Sequence, residues 1–274
     1  MVFAGLIFGQ KLLNPADVVT AAAAFGLFCL FSGVVYLVND IEDREADRHH
    51  PLKSKRPIAS GALSAGTAWT AAAVISAGAL LGAFFLGRGF FIVGVAYLLL
   101  QSAYSLWLKH GAILDVLAIA FGFVLRAVAG AVVLHVPFSH WLLVLTLLLA
   151  LFLATAKRRS ELVALAGGAA NHRRSLEHYT LPMLDQMLSV VMACTLLAYA
   201  FYTISPETIA KFGTDHLLVT LPLPIYGLFR YLYLVHRGDS HGNPSDLLLS
   251  DRPLQVCILL WGVLVAAIIY GPLK

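Results

Sequence analysis

Val34-Val35-Tyr36-Leu37-Val38-Asn39-Asp40-Ile41-Glu42-Asp43-Arg44-Glu45-Ala46-Asp47-Arg48 is where an apolar run gives way to a dense polar cluster. From Ala16 to Val38 only Asp17 and Thr or Ser side chains interrupt the apolar character. Ten positions then hold five carboxylates and an Asn. On a helix Asn39, Asp43 and Asp47 are four apart and share a face, which Asp40 borders. Like charges stacked this way repel, and a divalent cation removes that penalty. Oxygen-only donors suit a hard ion such as Mg2+, which is completed by water and substrate phosphate. A solvated helix end of mixed charge is the other reading of Asp-Arg-Glu-Ala-Asp-Arg. The one-sided acids at the end of an apolar run favour the metal.

Outward from this cluster the chain is membrane-like. It is 59% hydrophobic and 12% charged, with mean hydropathy +0.82, where globular domains carry about 25% charge. Apolar stretches near 20 residues cross a bilayer as helices. They fall at 16–38, 64–86, 90–108, 112–134, 140–156, 184–204, 215–235 and 253–272. A shorter apolar piece, 2–10, reads as a cut-down first helix. No basic region or small-residue cleavage site follows Met1, which argues against a signal peptide. The expectation is an all-α bundle of eight full spans plus a short N-terminal helix, forming a single integral membrane domain over 1–274.

Lys and Arg set the orientation. Thirteen lie on one side, mostly in 39–63 and 157–183; four lie on the other, and Arg126 and Arg230 lie within helices. The rich side is expected to face the cytosol of a bacterial inner membrane. The net charge of +4 follows from juxtamembrane topology and does not signal nucleic-acid binding. Cys29, Cys194 and Cys257 fall inside apolar stretches without CxxC spacing, so neither disulfides nor a zinc site is expected.

Further polar groups gather at the basic side. Pro51-Leu52-Lys53-Ser54-Lys55-Arg56-Pro57 places cations in an irregular segment that can fold back over the acids. A phosphate held by Mg2+ on one side and by Lys53 and Arg56 on the other is a consistent picture; flanking charge is the alternative. Tyr104 and Lys109 close one apolar stretch, with Trp107 as an interface anchor. Asp115 opens the next, and Arg126 lies about 16 Å further along its axis. An intramembrane charge faces a partner or a wet cavity, so Arg126 is either a site residue or a bridge to another helix. Gly122 and Gly130 permit close helix contact. Lys157, Arg158 and Arg159 end another stretch and suit an anion. Asn171-His172-Arg173-Arg174 and Tyr179 form a polar loop of open role. Asp185, Arg230, Tyr231, Tyr233, His236, Asp246, Asp251 and Arg252 read mostly as structural.

The motif Asn39-Asp40-x-x-Asp43-x-x-x-Asp47-Arg48, followed by Lys53 and Arg56-Pro57-Ile58-Ala59-Ser60-Gly61, resembles the first aspartate motif of the UbiA superfamily of intramembrane prenyltransferases. A closer resemblance, to the decaprenyl-phosphate phosphoribosyltransferase branch, rests on several later motifs. They are Tyr104-Ser105-x-x-Leu108-Lys109, Asp115, Phe123-x-Leu125-Arg126-Ala127-x-Ala129-Gly130, Lys157-Arg158-Arg159-x-Glu161-Leu162, Leu184-Asp185-Gln186-Met187, Phe229-Arg230-Tyr231-Leu232-Tyr233 and Asp251-Arg252-Pro253. Two departures stand out. Asp115 stands alone, with Ile119 where a second aspartate motif would continue. The family's basic segment before the first helix has no counterpart before Met1-Val2-Phe3.

The resemblance implies nine helices around a cavity open to the cytosol and to lipid. It implies Mg2+ on Asn39, Asp40, Asp43 and Asp47, with Asp43, Asp47 and Asp115 catalytic. Lys53, Arg56, Tyr104, Lys109, Arg126, Lys157, Arg158 and Arg159 would bind substrate. The expected reaction moves phosphoribosyl from phosphoribosyl diphosphate to a polyprenyl phosphate, and arabinose donors for a cell wall are one destination. Prenyl transfer to an aromatic acceptor is a second reading, which the missing aspartate motif disfavours. A transporter using Asp115 and Arg126 is a third, against which no Gly/Pro-broken helices recur in matching halves.

Overall fold

Five of the helices begin where the sequence supplies a side-chain cap. The computed structural model describes residues 1–49, 53–137, 139–166, 174–237 and 244–271. Their helices are α1 (Ala4–Phe8), α2 (Pro15–Glu42), α3 (Arg44–Arg48), α4 (Ala65–Leu86), α5 (Arg88–Leu106), α6 (Leu114–Val133), α7 (His140–Ala166), α8 (Leu181–Ile204), α9 (Pro206–Phe212), α10 (Pro222–Arg237), α11 (Pro244–Ser250) and α12 (Arg252–Tyr270). The side chains of Asn14, Ser64, Thr180, Ser205 and Asp251 accept from the first free amides of α2, α4, α8, α9 and α12. Proline follows four of these five caps at the first or second helical position, where its missing N–H costs nothing.

Among the described residues eight helical segments are long and apolar enough to cross a membrane. They correspond to the eight expected spans, and the protein is a multi-pass membrane protein. The most apolar 18-residue windows are only 17% to 44% buried by protein. Side chains such as Phe85, Leu99, Val74 and Val263 stand exposed, as lipid contact requires. The short α1 is the cut-down helix anticipated at 2–10.

Two boundaries differ from expectation for local reasons. Helix α7 runs ten residues past 156, through Lys157-Arg158-Arg159, because no Gly or Pro interrupts it before Gly167. The three cations therefore lie within the helix, seven or more residues before its last residue, and not at its end. The seventh span begins as a 3-10 turn, His216–Thr220, before α10. Pro222 and Pro224 prevent the preceding residues from continuing as regular α-helix.

The chain divides into two units, Met1–Pro137 with Arg173–Ser175, and Phe138–His172 with Leu176–Lys274. In the first, α2 packs on α4, α5 and α6, with α4 against α5 and α5 against α6. Its core pairs small with large: Ala21, Ala24, Ala79, Ala83 and Ala129 are buried beside Phe28, Phe31, Phe90 and Tyr97. The Phe28 ring meets Phe31, Phe90 and Tyr97 edge-on at 5.3–5.7 Å. Helix α1 lies on α6 where Gly130 leaves no side chain: a Cβ there would stand 2.0 Å from the Val2 carbonyl oxygen. Gly122 likewise receives Gln101 from α5. In the second unit α7 packs on α8, and α10 on α8 and α12. Phe152, Leu188, Met192, Tyr231 and Leu254 form its core.

Candidate active site

Helix α2 ends at the acids. Asp43 closes α2 and opens α3, with φ −84° and ψ 0°. The four-residue spacing survives this break, since the Asp43 amide donates to the Asn39 carbonyl and the Asp47 amide to the Asp43 carbonyl. The Asn39 side-chain amide donates to Asp43 Oδ2 at 3.0 Å. Asp47 is 3% exposed, although it sits on a helix of five residues. Glu42 and Glu45 stand exposed, and Glu45 is taken by Arg44 and Arg48. The mixed-charge run thus splits into a solvated face and an inward face made of Asn39, Asp40, Asp43 and Asp47.

Three cations meet the three inward carboxylates. Arg56 Nη1 bridges Asp40 Oδ1 at 2.7 Å and Asp47 Oδ2 at 2.9 Å. Lys109 Nζ reaches Asp43 Oδ1 at 2.6 Å. Lys53 Nζ lies 3.9 Å from Asp47 Oδ1. Pro57 starts the turns that return this segment, Ile58 and Ala59 bury beneath it, and Arg48 Nε donates to the Ala59 carbonyl. Lys109 arrives differently, on a 3-10 turn (Leu108–His110) between α5 and α6, and is 7% exposed. A half-buried carboxylate cluster without cations would carry an unsustainable desolvation cost.

The turn carrying Lys109 leads into a strained residue. Ile113 has φ 68° and ψ −45°, and the Leu114 amide donates to the Ala112 carbonyl at 2.8 Å. This is a γ-turn of the rarer hand, occupied by a β-branched residue that avoids positive φ. Two residues on, Asp115 is fully buried. Its Oδ1 accepts from the Val116 amide and its Oδ2 from the Ser175 hydroxyl. Tyr104 is half-buried near the end of α5, and Trp107 is 70% exposed.

Arg126 lies deeper. Its Nη2 donates to Tyr97 Oη at 2.6 Å and to Ser32 Oγ at 3.3 Å. Its guanidinium stacks 5.3 Å from the Tyr97 and Phe123 ring centres. It therefore ties α6 to α2 and α5. In the second unit Arg158 is 1% exposed and pairs with Glu161. Arg159 pairs with Asp185, which also receives His236, and donates to the Val235 carbonyl. Lys157 is exposed. Arg230 grips Asp251 with two nitrogens, Nε at 3.2 Å and Nη2 at 2.7 Å. Asn171, His172, Arg173 and Asn243 lie outside the described residues.

The structure thus assembles Asn39, Asp40, Asp43, Asp47, Lys53, Arg56 and Lys109 at one place in the first unit. Asp115 and Tyr104 belong to the same unit, on the helices that flank the turn carrying Lys109. Arg126 is engaged with Tyr97 and Ser32, and Lys157, Arg158 and Arg159 belong to the second unit. Ser32, Tyr97 and Ser175 are polar partners that sequence reasoning passed over. Their signal was weak: Ser32 and Tyr97 are single hydroxyls inside the apolar helices α2 and α5, and Ser175 is one small residue in a polar 3-10 turn, Arg174–His178.

The donor set fits a hard divalent cation in its chemistry, because Asn39, Asp40, Asp43 and Asp47 offer only oxygen. Among the described residues no three acidic or imidazole groups already converge on one point. The positive charge among the acids comes from Arg56, Lys109 and Lys53.

Residues 1–250 match the family model described as the UbiA prenyltransferase family. A decaprenyl-phosphate phosphoribosyltransferase of Mycobacterium tuberculosis is 35% identical over 249 residues, 90% of this chain and 81% of that protein. Its namesake in Mycolicibacterium smegmatis is 33% identical over 263 residues, 93% of this chain and 82% of that one. Among solved structures, a UbiA homologue from Archaeoglobus fulgidus bound to GPP and Mg2+ superposes with TM-score 0.72 at 19% identity, over 98% of this chain and 90% of that one. This last likeness concerns the fold alone.

Proposed function

The chain belongs to the UbiA prenyltransferase family, and on that premise we propose that it transfers 5-phosphoribosyl from phosphoribosyl diphosphate to a polyprenyl phosphate in the bacterial inner membrane, with its acids facing the cytosol. That it is a transferase follows from its curated relatives. Their shared name carries the choice of phosphoribosyl over prenyl as the group moved. The lone Asp115, with Ile119 four residues on, supports the same choice, since a prenyl diphosphate clamp is expected to use two aspartate motifs.

Asn39, Asp40, Asp43 and Asp47 would hold Mg2+, which when bound would neutralise charge growing on the leaving diphosphate. Lys53, Arg56 and Lys109 are already among these acids and would share the diphosphate oxygens, a stabilisation realised as the C1–O bond breaks. The diphosphate leaves with the bonding electron pair, and a phosphate oxygen of the lipid forms the new bond to C1. No proton needs removal, because the lipid phosphate is anionic, so no His or Cys dyad is required. Asp115 and Tyr104 would set the pocket wall around Lys109. Lys157 keeps its assignment to a phosphate. Arg126, Arg158 and Arg159 we read as anchors, in view of their present partners.

The test is transfer of radiolabel from phosphoribosyl diphosphate to a polyprenyl phosphate by the purified protein in nanodiscs with Mg2+. Label entering the organic phase is the expected result. Turnover of a prenyl diphosphate with an aromatic acid, and none with phosphoribosyl diphosphate, would favour the prenyltransferase reading. Asp43→Asn is expected to lower turnover at least about 10²-fold, as loss of one charge-stabilising group does. Undiminished turnover with a folded variant would remove the metal argument.

A further inference from the structure

Each acid that would hold the metal is already paired, and with the cations that would hold the diphosphate. Arg56 spans Asp40 and Asp47, Lys109 holds Asp43, and Lys53 approaches Asp47. Three carboxylates are balanced by three cations within one unit. A carboxylate oxygen at 2.6–2.9 Å from an ammonium or guanidinium cannot keep that contact and also ligate a second cation through the same lone pair, and the second oxygens of Asp43 and Asp47 face Asn39 at 3.0 Å and Lys53 at 3.9 Å. Binding of metal and retention of these ion pairs therefore compete. Released from the acids, Arg56 and Lys109 would be left as cations in a half-buried place, Lys109 at 7% exposure. An unpaired buried charge is costly. A diphosphate removes that cost.

We propose that Arg56 and Lys109 act as an internal counter-ion switch, paired with the acids until a divalent cation displaces them onto the diphosphate. The proposal deepens the metal and diphosphate reading above and rests on it. Its consequence is a definite sign of coupling. The metal alone binds weakly, because it must strip cations from their partners. The diphosphate alone binds weakly, because its cations are engaged. Together each relieves the other's cost, and the linkage is reciprocal. The device holds the acid cluster neutral without metal, and it selects for metal and diphosphate arriving as a pair.

The test measures Mn2+ binding by the loss of its free electron-paramagnetic signal, using the full chain in nanodiscs, with and without inorganic pyrophosphate. Wild type is expected to bind Mn2+ at least about tenfold more tightly when pyrophosphate is present, within the usual range of coupling. Lys109→Met, an apolar replacement of similar length, is expected to bind Mn2+ alone about tenfold more tightly than wild type and to gain much less from pyrophosphate. Arg56→Gln, at a more exposed place, is expected to do the same. Lys55→Met is the control for general charge. Lys55 is exposed and, among the described residues, pairs with none of the three acids, so its variant is expected to match wild type. Equal or weaker Mn2+ binding by both Lys109→Met and Arg56→Gln overturns the switch and leaves the metal reading standing. Tightening of equal size in Lys55→Met also overturns it, in favour of plain electrostatics. No Mn2+ binding by any of the proteins, with or without pyrophosphate, overturns the functional reading itself.

Discussion

Ile113 holds a conformation that glycine would adopt at no steric cost. Strain of this kind is worth about 1–3 kcal/mol, and glycine gives back roughly 0.5–1 kcal/mol in unfolded-state entropy. Ile113→Gly is therefore expected to raise stability by about 1 kcal/mol, read as a higher thermal unfolding midpoint in nanodiscs. A lower midpoint would show that the Ile113 side chain contributes more than its backbone costs. Arg126 makes a second prediction at this scale. Its hydrogen bonds to Tyr97 and Ser32 and its two ring contacts depend on a planar fork that lysine lacks. Arg126→Lys is expected to lower the unfolding midpoint while leaving KM for phosphoribosyl diphosphate within about twofold; a KM rise of tenfold or more would return Arg126 to substrate binding. The sequence marked Arg126 as a charge needing a partner but could not name one, because spacing within a helix says nothing about which helix lies opposite.

Helix ends carry the next level. The spans were legible because 20 apolar residues have few alternatives. Their polar ends were less so. Residues 157–159 read as the end of a helix because charge resembles a membrane exit; α7 runs on past them to Ala166, and Arg158 and Arg159 pair inside the second unit. The grouping of Asp40, Asp43 and Asp47 was readable from spacing, and the break at Asp43 was not, since no Gly or Pro marks it. At the other junction Asp251 both caps α12 and holds Arg230. The Arg230 hydrogen bond, ahead of every other influence, keeps the Asp251 carboxyl below its ordinary value of 3.8. A carboxyl depressed on folding adds stability that is complete above its unfolded value and is lost as pH falls through the folded one. Wild type is expected to lose more of its unfolding midpoint than Asp251→Asn as pH drops from about 5 to about 3. Parallel decline of the two proteins would show the pair contributes no pH-linked stability.

The whole molecule makes a claim about sidedness. Thirteen of 19 cations lie on the side of the acids, so that side is expected to be cytosolic. With Cys29, Cys194 and Cys257 replaced, Ser60→Cys should react with a membrane-impermeant maleimide only after the cells are opened. Asp215→Cys, at an exposed side chain, should react in intact cells. The reverse pattern would invert the topology and separate the acids from any cytosolic sugar phosphate. Most of each helix, α4 above all with 17% of its apolar window covered by protein, is left for lipid to cover. Folding strength is then a joint property of chain and hydrocarbon. The unfolding midpoint should move by several degrees between a long-chain and a short-chain detergent at fixed pH and salt, while the Lys109–Asp43 pair, indifferent to tail length, stays formed in both.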